Sequence, residues 1–278
     1  MYIDLHVHTT FSDGLLTPEQ VVKMAIKLNL KAIAITDHDT VDGIRPALDE
    51  AKKYTWFEVV PGVELSTDWN NEEIHILGYY IDYNNSNLRT VLLSFQQKRR
   101  KRIEEIIAKL KNMGINISIE DVCAKSKGSS LGRPHIALVL VEKGYVGSVQ
   151  EAFKNYLNKG KPAYVPKEKL TPFSAIDIIK QNSGIPVLAH PGLLEDNSII
   201  NELISYGIMG IEVVHKSHNK PQVAYYTKLA LDNNLLLTGG SDSHGETPLL
   251  LGSFDIPLDY FYRLKEIKRI FTMWVMNV

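Results

Sequence analysis

Two short stretches far apart in the chain place histidine and aspartate where an apolar run stops. "YIDLHVHTTFSDG" carries His6, His8 and Asp13, and "LTGGSDSHG" carries Asp242 and His244. His6 and His8 are two apart on a strand, so both imidazoles point to one face. Burying them only as packing would demand a hydrogen-bond partner for each ring nitrogen, an expensive way to fill a core. An H-x-H pair alone fits either a structural or a ligand role. The remaining runs tip the balance: "TDHD" supplies His38, "GVE" supplies Glu64, "EEIHI" contains His75 and "LAHPG" supplies His190. Neutral imidazole combined with carboxylate suits Zn, Mn or Fe far better than Ca or Mg. The chemistry predicted is that of a transition-metal cluster.

Such a set can meet only if several strands end on one side. Short β-branched runs alternate with helix-period segments along most of the chain. "YIDLHVH" precedes "TPEQVVKMAIKLNL", where Thr17 as N-cap, Pro18 at the first helical position and Gln20 start a helix. "KAIAITDH" follows, then "FEVVPGVEL", which leads through a turn to "EEIHILGYYI", and later "IPVLAH", "GIEVVH" and "LLLTGGSDSH", most of them separated by helical segments. Strands that are nearly all apolar and divided by helices predict a parallel sheet covered on both faces. About seven of them predict a closed or nearly closed α/β barrel, whose active site gathers at the C-terminal strand ends. From Asn87 to Tyr164 the rhythm breaks into helical segments with no strand, which reads as a small helical insertion between two barrel strands. Within it "SKGSSLGRP" reads as a turn-rich loop, and "LRTVLLSFQQKRRKRIEEIIAKLKNMG" as one long helix ended by Gly114.

Length and composition set bounds on function. A chain of 278 residues is normal for one α/β barrel, and 44% apolar with 23% charged is ordinary soluble composition. A net charge of -1 supplies no global basic field, so duplex DNA is not expected and an anionic ligand needs a local site. Cys123 is the single cysteine, which excludes an internal disulfide and fits a reducing compartment. No signal peptide or membrane span is read, and the expected setting is cytoplasmic.

"DLHVHTTFSDG", "ITDHDT", "PGVELS", "EIHILGY", "LAHPG" and "GGSDSHG" together resemble the ordered motifs of the PHP (polymerase and histidinol phosphatase) family of metal-dependent phosphoesterases. The resemblance implies a distorted (β/α)7 barrel: barrel residues 1–86, an inserted helical cap subdomain at 87–164, and barrel residues 165–278. It implies two or three divalent transition-metal ions (Mn, Fe or Zn). His6, His8, Glu64 and Asp242 would hold one, Asp13, His38 and His244 a second, and bridging Glu64 with His75 and His190 a third. The insertion, with "GRPHIALVLVEKG" and "NKGKPAYVP", is similar to the subgroup acting on nucleoside 3′,5′-bisphosphates and 5′-phosphorylated short RNA. That similarity implies Arg133, His135 and Lys161 as phosphate contacts, which suits a guanidinium fork and an ammonium point charge.

The implied reaction is phosphate-ester hydrolysis. Cations lower the pKa of a bridging water, hold the phosphoryl oxygens and offset charge in the transition state, with in-line attack and no Ser or Cys nucleophile. His190, His218 or His244 would protonate the leaving oxygen. His218 is also a candidate substrate contact, whereas His215 reads as structural. "KRRKR" at 98–102 reads as a solvated helix face, since Glu104 and Glu105 follow, and Cys123 as a small buried hydrophobe. "RIFTMWVMNV" reads as barrel packing or a dimer surface. Three other readings are a small-metabolite phosphatase of histidinol-phosphatase type, an amidohydrolase-type barrel, and a non-catalytic metal-bound binding module.

Overall fold

Seven strands lie side by side in chain order, so that each hairpin or crossover adds the next neighbour. The computed structural model describes residues 2–70, 72–125, 131–166 and 170–275, and no side chain from residue 271 onward. β1 (Tyr2–Val7) leads through α1 (Pro18–Lys27) to β2 (Leu30–Ile35), and α2 (Ile44–Ala51) leads to β3 (Glu58–Trp69). β1, β2 and β3 run parallel. β4 (Glu72–Tyr79) turns back antiparallel, in register from Trp69↔Glu72 to Gly62↔Tyr79. After α3 (Ser86–Asn112), α4 (Ile119–Lys125), α5 (Arg133–Glu142), α6 (Val149–Ala152) and α7 (Pro172–Gln181) comes β5 (Ile185–Leu188), antiparallel to β4. α8 (Ser198–Tyr206), β6 (Gly210–Val214), α9 (Lys220–Asp232), β7 (Leu236–Gly239) and α10 (Leu258–Val275) complete the order, with β5, β6 and β7 parallel. Beyond β7, Ser243 forms a parallel bridge to Val7, which brings the two edges of the sheet together.

The reading of uniformly parallel strands fails at β4. Too few residues separate β3 from β4 for a crossover, so the pair can only be a hairpin. The hairpin also extends β3 five residues past Glu64, which therefore lies inside the strand and not at its end.

The helix start at Thr17 forms as its sequence dictates. Gln20 N–H donates to Thr17 Oγ1 at 3.3 Å and Thr17 N–H to Gln20 Oε1 at 2.8 Å. Alternate residues of the strands, among them Ile3, Leu5, Ala32, Ala34, Ile185 and Val187, pack with Phe261 and Leu264 of α10 in one buried cluster.

The chain divides into two compact units, Met1–Arg89 with Lys169–Val278, and Thr90–Glu168. Among its described residues the second unit is helical, around Ile103, Ile106, Leu110, Val122, Ile136 and Leu140. α3 is continuous, and Gly114 follows it at φ +81. Its basic run is engaged locally, with Arg100 paired to Glu104 at 3.1 Å and Arg102 donating to the Val165 carbonyl at 2.9 Å. Cys123 is half-buried against this core. Residues 126–130 of the expected turn-rich loop and 276–278 of the final apolar run lie outside the described residues.

Candidate metal centre

Each strand delivers its side chain by its own device. His6 is in β1 and His8 just past it, both buried. The loop that follows is clamped by Asp37, which accepts from Thr9 N–H and Thr9 Oγ1 at 2.7 Å each and from Ser12 Oγ at 2.6 Å. That clamp presents Asp13. His38 lies past β2 and bridges to Glu64 of β3; two residue pairs further along the β3–β4 register, His75 stands opposite Ser66. His190 follows β5 with φ 28 and Asp242 follows β7 with φ 51, both in the left-handed region that few L residues adopt. Asp4, fully buried, accepts from Ser241 N–H at 2.8 Å and Gly252 N–H at 2.9 Å, fixing the turn that carries Asp242.

All nine ligand candidates come together around Glu64, which is 1% exposed. Its Oε1 lies 2.8 Å from His75 Nδ1 and 3.0 Å from His190 Nε2. Its Oε2 lies 3.0 Å from His38 Nδ1, 3.2 Å from His8 Nε2 and 3.3 Å from His6 Nε2. Asp242 Oδ1 is 3.1 Å from His8 Nε2 and 3.6 Å from His6 Nε2. Asp13 Oδ1 is 3.2 Å from His244 Nε2. In space the donors group as His8, Asp13, His38 and His244; as His6, His8 and Glu64; and as His38, Glu64 and His75. The motif-by-motif partition is thus not sharp: His8 and His38 each stand at the seam of two groups.

The residues fit a metal cluster. His6 Nε2, His8 Nε2, His38 Nδ1, His75 Nε2, Asp13 Oδ1 and Glu64 Oε2 are buried without a hydrogen bond, the pattern expected of atoms built to face a cation. The electrostatics agree. Burial opposes charge on His8 and His75, yet Asp242 and Glu64 push His8 up to about 10, and Glu64 with Glu73 pushes His75 up to about 9. Burial and the neighbouring imidazoles drive His38 down to about 3. Against burial, His38, His75 and His6 hold Glu64 well below the usual carboxylate range. The site is a dense mesh of opposite charges that cations can organise.

Other expected residues have different surroundings. Arg133, at the start of α5, donates from Nη1 to the Leu157 carbonyl at 3.1 Å and lies over the rings of Phe153 and Tyr164, at 5.7 and 5.9 Å. His135 Nδ1 accepts from Gly132 N–H at 3.0 Å, within the cap of the same helix, and Lys161 is exposed. His218 has both nitrogens on backbone: Nδ1 donates to the Val213 carbonyl at 2.9 Å and Nε2 accepts from Gly192 N–H at 3.0 Å. His215 is buried, with Nε2 3.4 Å from Asp242 Oδ2. Two groups not singled out from sequence also touch the centre. Lys216 Nζ is 3.0 Å from Asp242 Oδ2, and Glu212, inside β6, contacts His6 and His190. An acid within the otherwise apolar "GIEVV" was the available signal for Glu212.

Comparison with known proteins agrees with this geometry. The chain is 35% identical over 251 residues to the 5′-3′ exoribonuclease Rnm of Escherichia coli strain K12, covering 88% of this chain and 86% of that protein. It is 32% identical over 248 residues to a 3′,5′-nucleoside bisphosphate phosphatase of Chromobacterium violaceum, covering 87% of each. A crystal structure from Bifidobacterium adolescentis, described as a metal-dependent phosphoesterase, superposes with a TM-score of 0.82 at 28% identity over 95% of both chains. The PHP domain family matches residues 4–170, more than half of the chain, and this chain belongs to that family.

Proposed function

We propose that this PHP-family phosphoesterase hydrolyses the 3′-phosphate of nucleoside 3′,5′-bisphosphates and, by the same chemistry, trims 5′-phosphorylated short RNA. The observation that carries the reading is Glu64, whose two buried oxygens are divided between His75 and His190 on one side and His6, His8 and His38 on the other. A shared carboxylate of this kind suits more than one cation. The names of the two relatives, one an exoribonuclease and one a bisphosphate phosphatase, support the substrate class.

In this reading two or three Mn, Fe or Zn ions are held by His6, His8, Asp13, His38, Glu64, His75, His190, Asp242 and His244. Bound there, such ions supply Lewis acidity, lowering the pKa of water and taking up phosphoryl charge. The chain's own residues hold the ligand atoms in place before substrate arrives, which removes reorganisation from the reaction step. Of the imidazoles considered as proton source for the leaving oxygen, His218 is committed to backbone on both nitrogens and His190 faces Glu64. His244 has Nε2 3.2 Å from Asp13 Oδ1 and Nδ1 3.0 Å from the Asp242 carbonyl, so a metal-held His244 has no proton to spare and the leaving oxygen takes its proton from solvent water. Arg133, His135 and Lys161 supply the contacts to the phosphate that is not cleaved.

The deciding experiment is product analysis with Mn²⁺-loaded protein, with and without chelator, on adenosine 3′,5′-bisphosphate and on a 5′-phosphorylated short RNA. The expected products are AMP with inorganic phosphate, and mononucleotides. Turnover of p-nitrophenyl phosphate with neither nucleotide substrate consumed would replace this reading with a small-metabolite phosphatase.

A further inference from the structure

We infer that Glu212 is a positioning residue of the metal centre: its carboxylate keeps the His6 proton on Nδ1, so that Nε2 is the ligand atom, and anchors the turn that carries His190. The inference rests on the metal centre proposed above. Glu212 lies in the middle of β6 and is fully buried. A carboxylate in an apolar strand is costly unless its oxygens are matched. Both are. Oε1 is 3.0 Å from His6 Nδ1, and Oε2 accepts the backbone N–H of His190 at 2.8 Å.

The first contact sets a tautomer. An ionised carboxylate only accepts, so the ring nitrogen facing it must carry a proton. Neutral His6 then has its lone pair on Nε2, the form a metal ligand needs. Nε2 is the nitrogen without a hydrogen bond, 3.3 Å from Glu64 Oε2 and 3.6 Å from Asp242 Oδ1. The second contact holds an unusual backbone. His190 sits at φ 28, ψ 57, a conformation that persists only where surrounding contacts over-determine it. From there its Nε2 reaches Glu64 Oε1. One side chain on β6 thus couples ligands from β1 and β5 that approach opposite oxygens of Glu64.

Glu212→Gln is nearly isosteric but has only one acceptor oxygen. Its amide NH₂ must face either His6 Nδ1, which favours a proton on Nε2, or the His190 N–H. The full chain and the variant are compared for Mn²⁺ bound per chain and affinity by equilibrium dialysis, and imidazole ¹⁵N shifts report the His6 tautomer in chelator-treated protein. The expected result is a folded variant whose Mn²⁺ affinity is weaker by about 10- to 100-fold, with the proton displaced from His6 Nδ1. Wild-type Mn²⁺ affinity in the variant overturns the inference and leaves the metal centre standing. A His6 Nδ1 without a proton in the unsubstituted chain overturns it as well, and that measurement decides alone if the variant does not fold. An unsubstituted chain that takes up no Mn²⁺ overturns the metal-centre reading itself.

Discussion

At the scale of single residues, Glu64 is the hinge of the site. Because its oxygens face two sets of imidazoles, Glu64→Gln should cost more than one ion per chain, read by elemental analysis after Mn²⁺ loading. Loss of a single ion would assign Glu64 to one group only. The charge mesh makes a second prediction, for chelator-stripped protein. His8 and His75 are raised from 6.5 to about 10 and about 9. A raised folded pKa gives stability that is complete below 6.5 and lost as pH climbs through the folded value. Glu64 and Asp242 are depressed, so their share is present above the ordinary carboxylate range and lost on acidification. Stripped protein should therefore melt lower at about pH 9.5 than at pH 7, and lower again in acid. A melting temperature that rises toward pH 9.5 would contradict this pairing. The histidines that cluster around Glu64 were legible as candidates because histidine is rare in apolar runs and each one interrupted such a run. Glu212 was not, since nothing in "GIEVV" says which partner a lone buried acid will meet.

At the scale of elements, the site depends on how closely β1 and the end of β7 approach. A Cβ built on Gly240 falls 2.1 Å from His6 Cβ and 2.5 Å from His6 N, and the latter is backbone that cannot step aside. Gly240→Ala should therefore destabilise the protein by about 1–3 kcal/mol or more and weaken Mn²⁺ binding, since β1 must shift and carry His6, and His8 just past it, along. Urea unfolding paired with dialysis checks both, and an unchanged metal affinity would show that the strain is absorbed elsewhere. The alternation of apolar runs and helix-period segments made strands and helices readable, and the cap at Thr17 formed as its residues require. Strand direction was readable only from the lengths of the links. β4 has the same apolar character as its neighbours, and only the shortness of its link to β3 forces it antiparallel.

At the scale of the whole molecule, the metal content and the substrate choice can be tested apart. The protein should bind at least two transition-metal ions per chain, and less than about one after Mn²⁺ or Zn²⁺ loading would refute that. Arg133 lies outside the ligand set, in the helical unit, so Arg133→Ala should leave metal content intact. If it holds the uncleaved phosphate, kcat/KM on a nucleoside bisphosphate should fall about ten- to a hundredfold. p-Nitrophenyl phosphate, with no second phosphate, should be hydrolysed nearly as before. Equal losses on both substrates would make Arg133 structural, a role its contacts with Leu157, Phe153 and Tyr164 could also fill.

The bridge between Val7 and Ser243 has a consequence for the order of events during synthesis. The candidate ligands are strung from His6 to His244, and the last two emerge from the ribosome long after the first. Until they do, His6 and His8 lack Asp242, and Asp13 lacks His244. Closing a loop of that length is slow and entropically costly, so the centre is among the last features a nascent chain completes. On the proposed function, metal acquisition therefore belongs to a chain synthesised past His244. A chain released early would carry a half-built site, able to catch a cation loosely and unable to close around it.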